Sequence, residues 1–129
     1  MFLKYPMTAV TEDLLLDKAT VAAIKATKPD DKVDKTTVNN LLTFLQSTRN
    51  VKELEAYILR QIGRHEINPE TGKELLSTLS TLNLDQALLY LGYLKWLYEA
   101  ITGVNVDRRE IENVKRFDEL VRKLAEKMR

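Results

Sequence analysis

Apolar side chains recur at spacings of three and four along most of this 129-residue chain, the signature of helices with one buried face. Six such stretches are predicted. The first runs from about Thr11 to Ala26, with Thr11 as N-cap, Glu12 and Asp13 at the positive helix start, and Leu14, Leu15, Ala22 and Ala23 on the apolar side. A polar stretch from Thr27 to Lys35, interrupted by Pro29, reads as a loop. The second helix covers about Thr36 to Gln46 with Val38, Leu41, Leu42 and Leu45 in register, and Ser47 to Asn50 breaks it. Asn50 followed by Glu53 forms a capping signal for a third helix that reaches about His65, with Val51, Leu54, Ile58 and Ile62 on its apolar face. Asn68-Pro69-Glu70 starts a fourth, ending near Leu82.

The fifth helix, started by Asn83 or Asp85, carries only Asp85, Lys95 and Glu99 as charges between Leu84 and Ile101. A helix apolar nearly all round belongs at the centre of a bundle, and Gly103 is placed to terminate it as a left-handed residue. Asp107 and Glu110 open a sixth helix that runs to the C-terminus. In it Val114, Phe117, Val121, Leu124 and Met128 step by three and four as a short heptad seam. The expected architecture is a single all-α domain over 1–129, a compact bundle of about six helices around the segment 84–101.

Composition agrees with this and narrows the function. Only 4 Gly and 3 Pro argue against sandwiches and barrels, which need many turns. Charged residues make up 30% of the chain, yet the formal net charge is +1, so any basic surface must be local. With no cysteine, disulfides, thiolate zinc sites and thiol nucleophiles are excluded together. The N-terminal residues lack the basic start and long apolar run of a signal peptide, and a cytoplasmic location is expected.

No motif calls for a cofactor or metal, and no enzymatic activity is expected. The lone histidine, His65, lacks a second histidine at metalloprotease spacing and reads as a partly buried helix-end residue. Asp85 and Glu99 lie 14 residues apart on one helix, about 21 Å, too far to act as a catalytic pair. The aromatic residues Tyr90, Tyr93, Trp96 and Tyr98 read as core packing rather than as a base-stacking platform.

Two basic regions are candidates for phosphate contact. The C-terminal segment 107–129 has eight basic and six acidic residues, and Arg108–Glu112, Glu112–Arg116 and Glu119–Lys123 are each spaced to pair along one helix. Such a lattice neutralises much of its own field, and Lys115 and Arg116 are secondary candidates. On the third helix Arg60 and Arg64 share a face about 120° from the Leu54/Ile58 direction, at about 100° per residue. Arg49 and Lys52 join them from the helix start, and Gln61 adds a neutral donor. Guanidinium forks at this spacing suit phosphates, and pairing with Glu53 and Glu55 is the alternative.

The run Tyr57-Ile58-Leu59-Arg60-Gln61-Ile62-Gly63-Arg64, together with the apolar helix carrying Tyr90, Trp96 and Tyr98, resembles the small subunits of CRISPR RNA-guided surveillance complexes. The archaeal type I-A subunit is the nearest in character and the type III small subunits are cousins. The resemblance spans Asn39 to Ile101. It implies a non-catalytic helical bundle that assembles in copies beside the guide-RNA backbone subunits in antiviral defence. By that pattern Arg60, Gln61 and Arg64 would contact nucleic-acid backbone of the guide RNA/target DNA complex. Other effector-complex subunits and further copies of the chain would be its protein partners. A helical protein–protein adaptor with no nucleic-acid role is the competing reading.

Overall fold

In the computed structural model, which describes residues 4–128 and the side chains of 12–128, the chain is an all-α bundle. Its α-helices are α1 (Lys4–Ala26), α2 (Lys35–Thr48), α3 (Val51–Gly63), α4 (Pro69–Leu79), α5 (Leu84–Gly103), α6 (Arg108–Ile111) and α7 (Phe117–Ala125). A 3₁₀ turn, Pro29–Asp31, lies between α1 and α2. There is no strand among the described residues.

Asparagine starts three of the helices. Asn50 accepts the Glu53 N–H at 3.0 Å, and Asn68 accepts that of Thr71 at 2.7 Å. Asn83 and Gln86 form a reciprocal capping box. Asn68 also acts at a distance. Its amide donates to the Asp31 carbonyl at 2.7 Å and ties the α1–α2 loop to α4.

α1 starts well before the expected Thr11. Pro6 lies within its first described turns. Leu14, expected in the core, is half exposed. The buried stripe of α1 is instead Leu15 with Ala19, Ala22, Ala23 and Ala26. Small side chains let this helix approach its neighbours closely, and it packs against α4, α5 and α7. The centre of the bundle is therefore the α1–α5 pair, not α5 alone.

α5 buries Tyr90, Leu91, Leu94, Leu97, Tyr98 and Ile101, and it packs on α1 and α2. The Tyr98 hydroxyl donates to the Val33 carbonyl at 2.6 Å and so fastens the α1–α2 loop. Trp96 departs from expectation. It is 66% exposed, with the half-buried Tyr93 ring tilted beside it at 6.1 Å and Leu89 exposed one further turn away. Gly103 does not take the left-handed conformation, and α5 simply ends there with Val104 as its C-cap. Left-handed backbone occurs instead at Arg49 (φ 55°) and His65 (φ 66°).

The C-terminal region is two helices where the heptad pattern predicts one. On a continuous helix Ile111 and Leu120 would point about 180° apart, so both could not be buried on one side. The break at 112–116 resolves this, and Ile111, Val114, Leu120 and Leu124 are all buried, while Val121 and Met128 stay exposed. Asp17, on α1, accepts the Phe117 N–H at 2.8 Å and caps α7 from outside the segment. The expected Arg–Glu lattice does not form: none of its three pairs is an ion pair among the described residues. Asp107 pairs with Arg109 and Glu110 with Lys127 instead. One apolar core takes side chains from every α-helix.

Candidate nucleic-acid interface

α3 is the helix on which the candidate residues converge. Leu54 and Ile58 bury one side, and Lys52, Ala56, Leu59, Arg60 and Gly63 cover the opposite side. The turn into α3 is tight. Arg49 closes α2 in left-handed backbone, its N–H bonded to the Leu45 carbonyl at 2.8 Å, and Asn50 then caps α3. At the other end the Glu66 N–H reaches the Gln61 carbonyl and the His65 N–H that of Ile62, which is a Schellman closure with His65 in the left-handed position. His65 is exposed, not partly buried. Both left-handed non-glycine residues of the described chain thus flank the same helix.

Arg49, Lys52, Arg60 and Arg64 are all exposed, and none forms an ion pair among the described residues. The alternative of pairing with Glu53 and Glu55 is not what the side chains adopt. Arg60 and Arg64 sit at the carboxyl end of α3, where the helix dipole favours a cation, so folding does not resist their placement. Three acids lie close in sequence, Glu53, Glu55 and Glu66. The segment 49–66 therefore carries four cations against three anions, and the local field is modest.

Gln61 does not belong to this surface. The residue is only 9% exposed, on the inner side of α3, away from the exposed cations. It lies about 180° from Lys52 around the helix, so proximity in sequence to Arg60 brings it no nearer the outer face. Tyr57, three residues before Arg60, stacks on Phe44 of α2 with ring centres 4.5 Å apart and planes at 16°. That stack braces α3 against α2 next to the arginines.

Lys115 and Arg116 lie apart from this group, on the link between α6 and α7. Both are exposed, with Arg116 at the N-cap position of α7. α7 packs on α1 and α6, whereas α3 packs on α2 and α4. Arg108, expected to belong to the surface lattice, turns inward. Its guanidinium donates to the Thr27 hydroxyl at 2.9 Å and to the Ile24 carbonyl, closing the end of α1. No sequence signal separates it from Arg109, which stays on the surface with Asp107. Among the described residues no three His, Asp or Glu side chains gather as a metal site, and no helix is long and apolar enough to cross a membrane.

No protein-family model matches this chain, and no curated protein matches it.

Proposed function

We propose that this chain is a non-catalytic helical subunit of a ribonucleoprotein assembly, holding nucleic-acid backbone through Arg49, Lys52, Arg60 and Arg64. The observation that carries the reading is the grouping of these four exposed cations, unpaired, on α3 and the turn before it. A phosphate would find their donors free, without an existing ion pair having to break. The likeness of the Tyr57–Arg64 run to CRISPR small subunits supplies the setting: contact with the guide RNA/target DNA complex, beside other effector subunits and further copies of the chain. In that setting base pairing reads sequence, and the protein needs only charge and shape. A modest local field is compatible with the role, since copies side by side multiply weak contacts.

Fluorescence polarisation with labelled single strands and RNA–DNA hybrids tests this. Binding is expected that Arg60→Ala with Arg64→Ala abolishes or strongly weakens, while melting temperature and helical circular dichroism stay unchanged. Equal affinity for the double variant and the natural chain would defeat the proposal at its central residues.

One observation favours the second reading, a protein-binding adaptor. Trp96, with Leu89 and Tyr93 on the outer side of α5, is an exposed aromatic of the kind that anchors protein interfaces. In that case Trp96→Ala, not the arginine variant, would release the partner, with little response to salt.

A further inference from the structure

An open pocket of about 270 Å³ lies at one end of the bundle, between the 3₁₀ turn after α1, the last turns of α5, and α6. Its apolar lining is Pro29, Ile101, Val106 and Ile111. Lys32 and Arg108 are its charged residues, and no carboxylate lines it. Arg108 is held by Thr27 and Ile24 and serves as a wall. Lys32 is exposed and in no ion pair among the described residues. Its Nζ stands 6.0 Å from the centre of the Tyr98 ring, at the outer limit of a cation–aromatic contact. Elsewhere the chain carries a group of matching chemistry. Trp96, its only tryptophan, is 66% exposed on the outer side of α5. Ile101 and Thr102 lie about 140° and 120° from Trp96 around that helix, so the indole points away from the pocket and cannot fill it within one chain.

We infer that the Trp96 indole of one copy docks in this pocket of a second copy. An apolar cavity of about 150 Å³ holds benzene, so about 270 Å³ has room for an indole. Ile101, Val106 and Ile111 would meet its apolar surface, and Lys32 its ring face, which attracts a cation. Two observations assign the occupant to this chain. An uncovered indole and an apolar pocket with cations and no carboxylates are complementary halves of one contact, and each copy carries both. A formal net charge of +1 leaves almost no repulsion between copies to overcome. Area sets the strength. One tryptophan buries about 150–250 Å², well below the roughly 800 Å² per partner of a stable complex. Free copies therefore associate weakly, and the contact gains by avidity once an assembly holds them side by side. The inference names a surface for the contact between copies in the proposed function and rests on that part of it alone. Neither the pocket nor Trp96 shares a residue with the α3 surface.

Self-association is measured on the full chain without nucleic acid, by analytical ultracentrifugation and by tryptophan fluorescence, which reports on Trp96 alone. The mean mass is expected to rise with concentration, with a dissociation constant of about 0.1–1 mM, while the Trp96 emission shifts to the blue. Trp96→Ala should weaken association about tenfold or more. Lys32→Ala should weaken it about two- to fivefold, as for an exposed cation–aromatic contact. Thr102→Tyr places a ring in the pocket from an exposed position of α5 and should block association too. A mixture decides the geometry. Trp96→Ala keeps the pocket and Thr102→Tyr keeps the indole, so together they are expected to form a one-to-one pair, although each alone stays monomeric. Arg60→Ala with Arg64→Ala should self-associate like the natural chain, which separates this inference from the nucleic-acid reading. A natural chain that stays monomeric with unchanged Trp96 emission up to about 1 mM would overturn the inference. So would a mixture of the two variants that stays monomeric while melting temperatures show both folded.

Discussion

Tyr90 and Trp96 show how little residue type decides in an apolar helix. Both are large aromatics on α5, six positions apart, so they point about 120° apart around it. Tyr90 is fully buried and Trp96 is 66% exposed. The segment from Leu84 to Ile101 offers no polar stripe to mark the outer side, and that is why sequence alone placed both in the core. The buried tyrosines have a consequence at high pH. Burial raises the ionisation of Tyr90 well above the ordinary tyrosine range, with the Glu74 carboxylate adding to it and Thr78 opposing. Tyr98 is raised by burial and by the Asp34 carboxylate. A folded pKa above the unfolded value means that the protonated fold is favoured. This stability is fully present below about pH 10, the unfolded tyrosine value, and falls as pH rises beyond it. In an alkaline titration, the 295 nm difference between the natural chain and Tyr90→Phe should appear together with loss of helix. Ionisation of Tyr90 in a protein that keeps its helical signal would contradict this. Arg49 supplies a second expectation. Its left-handed backbone costs a non-glycine residue about 1–2 kcal/mol, against roughly 0.5–1 kcal/mol lost when glycine is ordered. Arg49→Gly is therefore expected to match or exceed the natural chain in urea stability while binding nucleic acid more weakly. Lower stability together with unchanged binding would show that the arginine serves the fold.

The helix starts at Asn50, Asn68 and Asn83 were legible because a cap is a local contact, made within three residues of its own position. The C-terminal break was not, because its cause is distant. Asp17 lies 100 residues before the Phe117 N–H that it caps, and no spacing rule reaches so far. The heptad steps from Val114 to Met128 are real in the sequence. They lose to the burial of Ile111 and Leu120, which a straight helix could not turn to one side together. If Asp17 holds the second segment in place, Asp17→Ala should cost about 1 kcal/mol. Its effect should appear first as lost hydrogen-exchange protection over Phe117–Ala125, while Asp17→Asn, which keeps an acceptor, should retain much of it. Protection of α7 that does not change in Asp17→Ala would assign its stability to Leu120 and Leu124 alone. The same reasoning covers Gln61. Sequence proximity grouped it with Arg60, and the helical turn separates them.

For the molecule as a whole, a net charge of +1 hides an uneven distribution. The C-terminal segment, with eight of the 20 Lys and Arg residues, engages three of them: Arg108 closes α1, and Arg109 and Lys127 take acidic partners, while Lys115, Arg116, Arg122 and Lys123 are in no ion pair among the described residues. Its balance of eight basic against six acidic residues already marked it as largely self-neutralising, although the pairs that form are not those its spacing suggested. The α3 cations are fewer, but none is in an ion pair among the described residues and all four are exposed on one helix and the turn before it. The proposed role rests on that grouping, and the salt dependence of nucleic-acid binding probes it. For the natural chain the logarithm of affinity is expected to fall linearly with the logarithm of salt. For Arg60→Ala with Arg64→Ala the slope should be shallower by about 1.4–1.8, the loss of two phosphate contacts. Affinity that ignores salt, or identical slopes for the two proteins, would rule out α3 as the nucleic-acid surface.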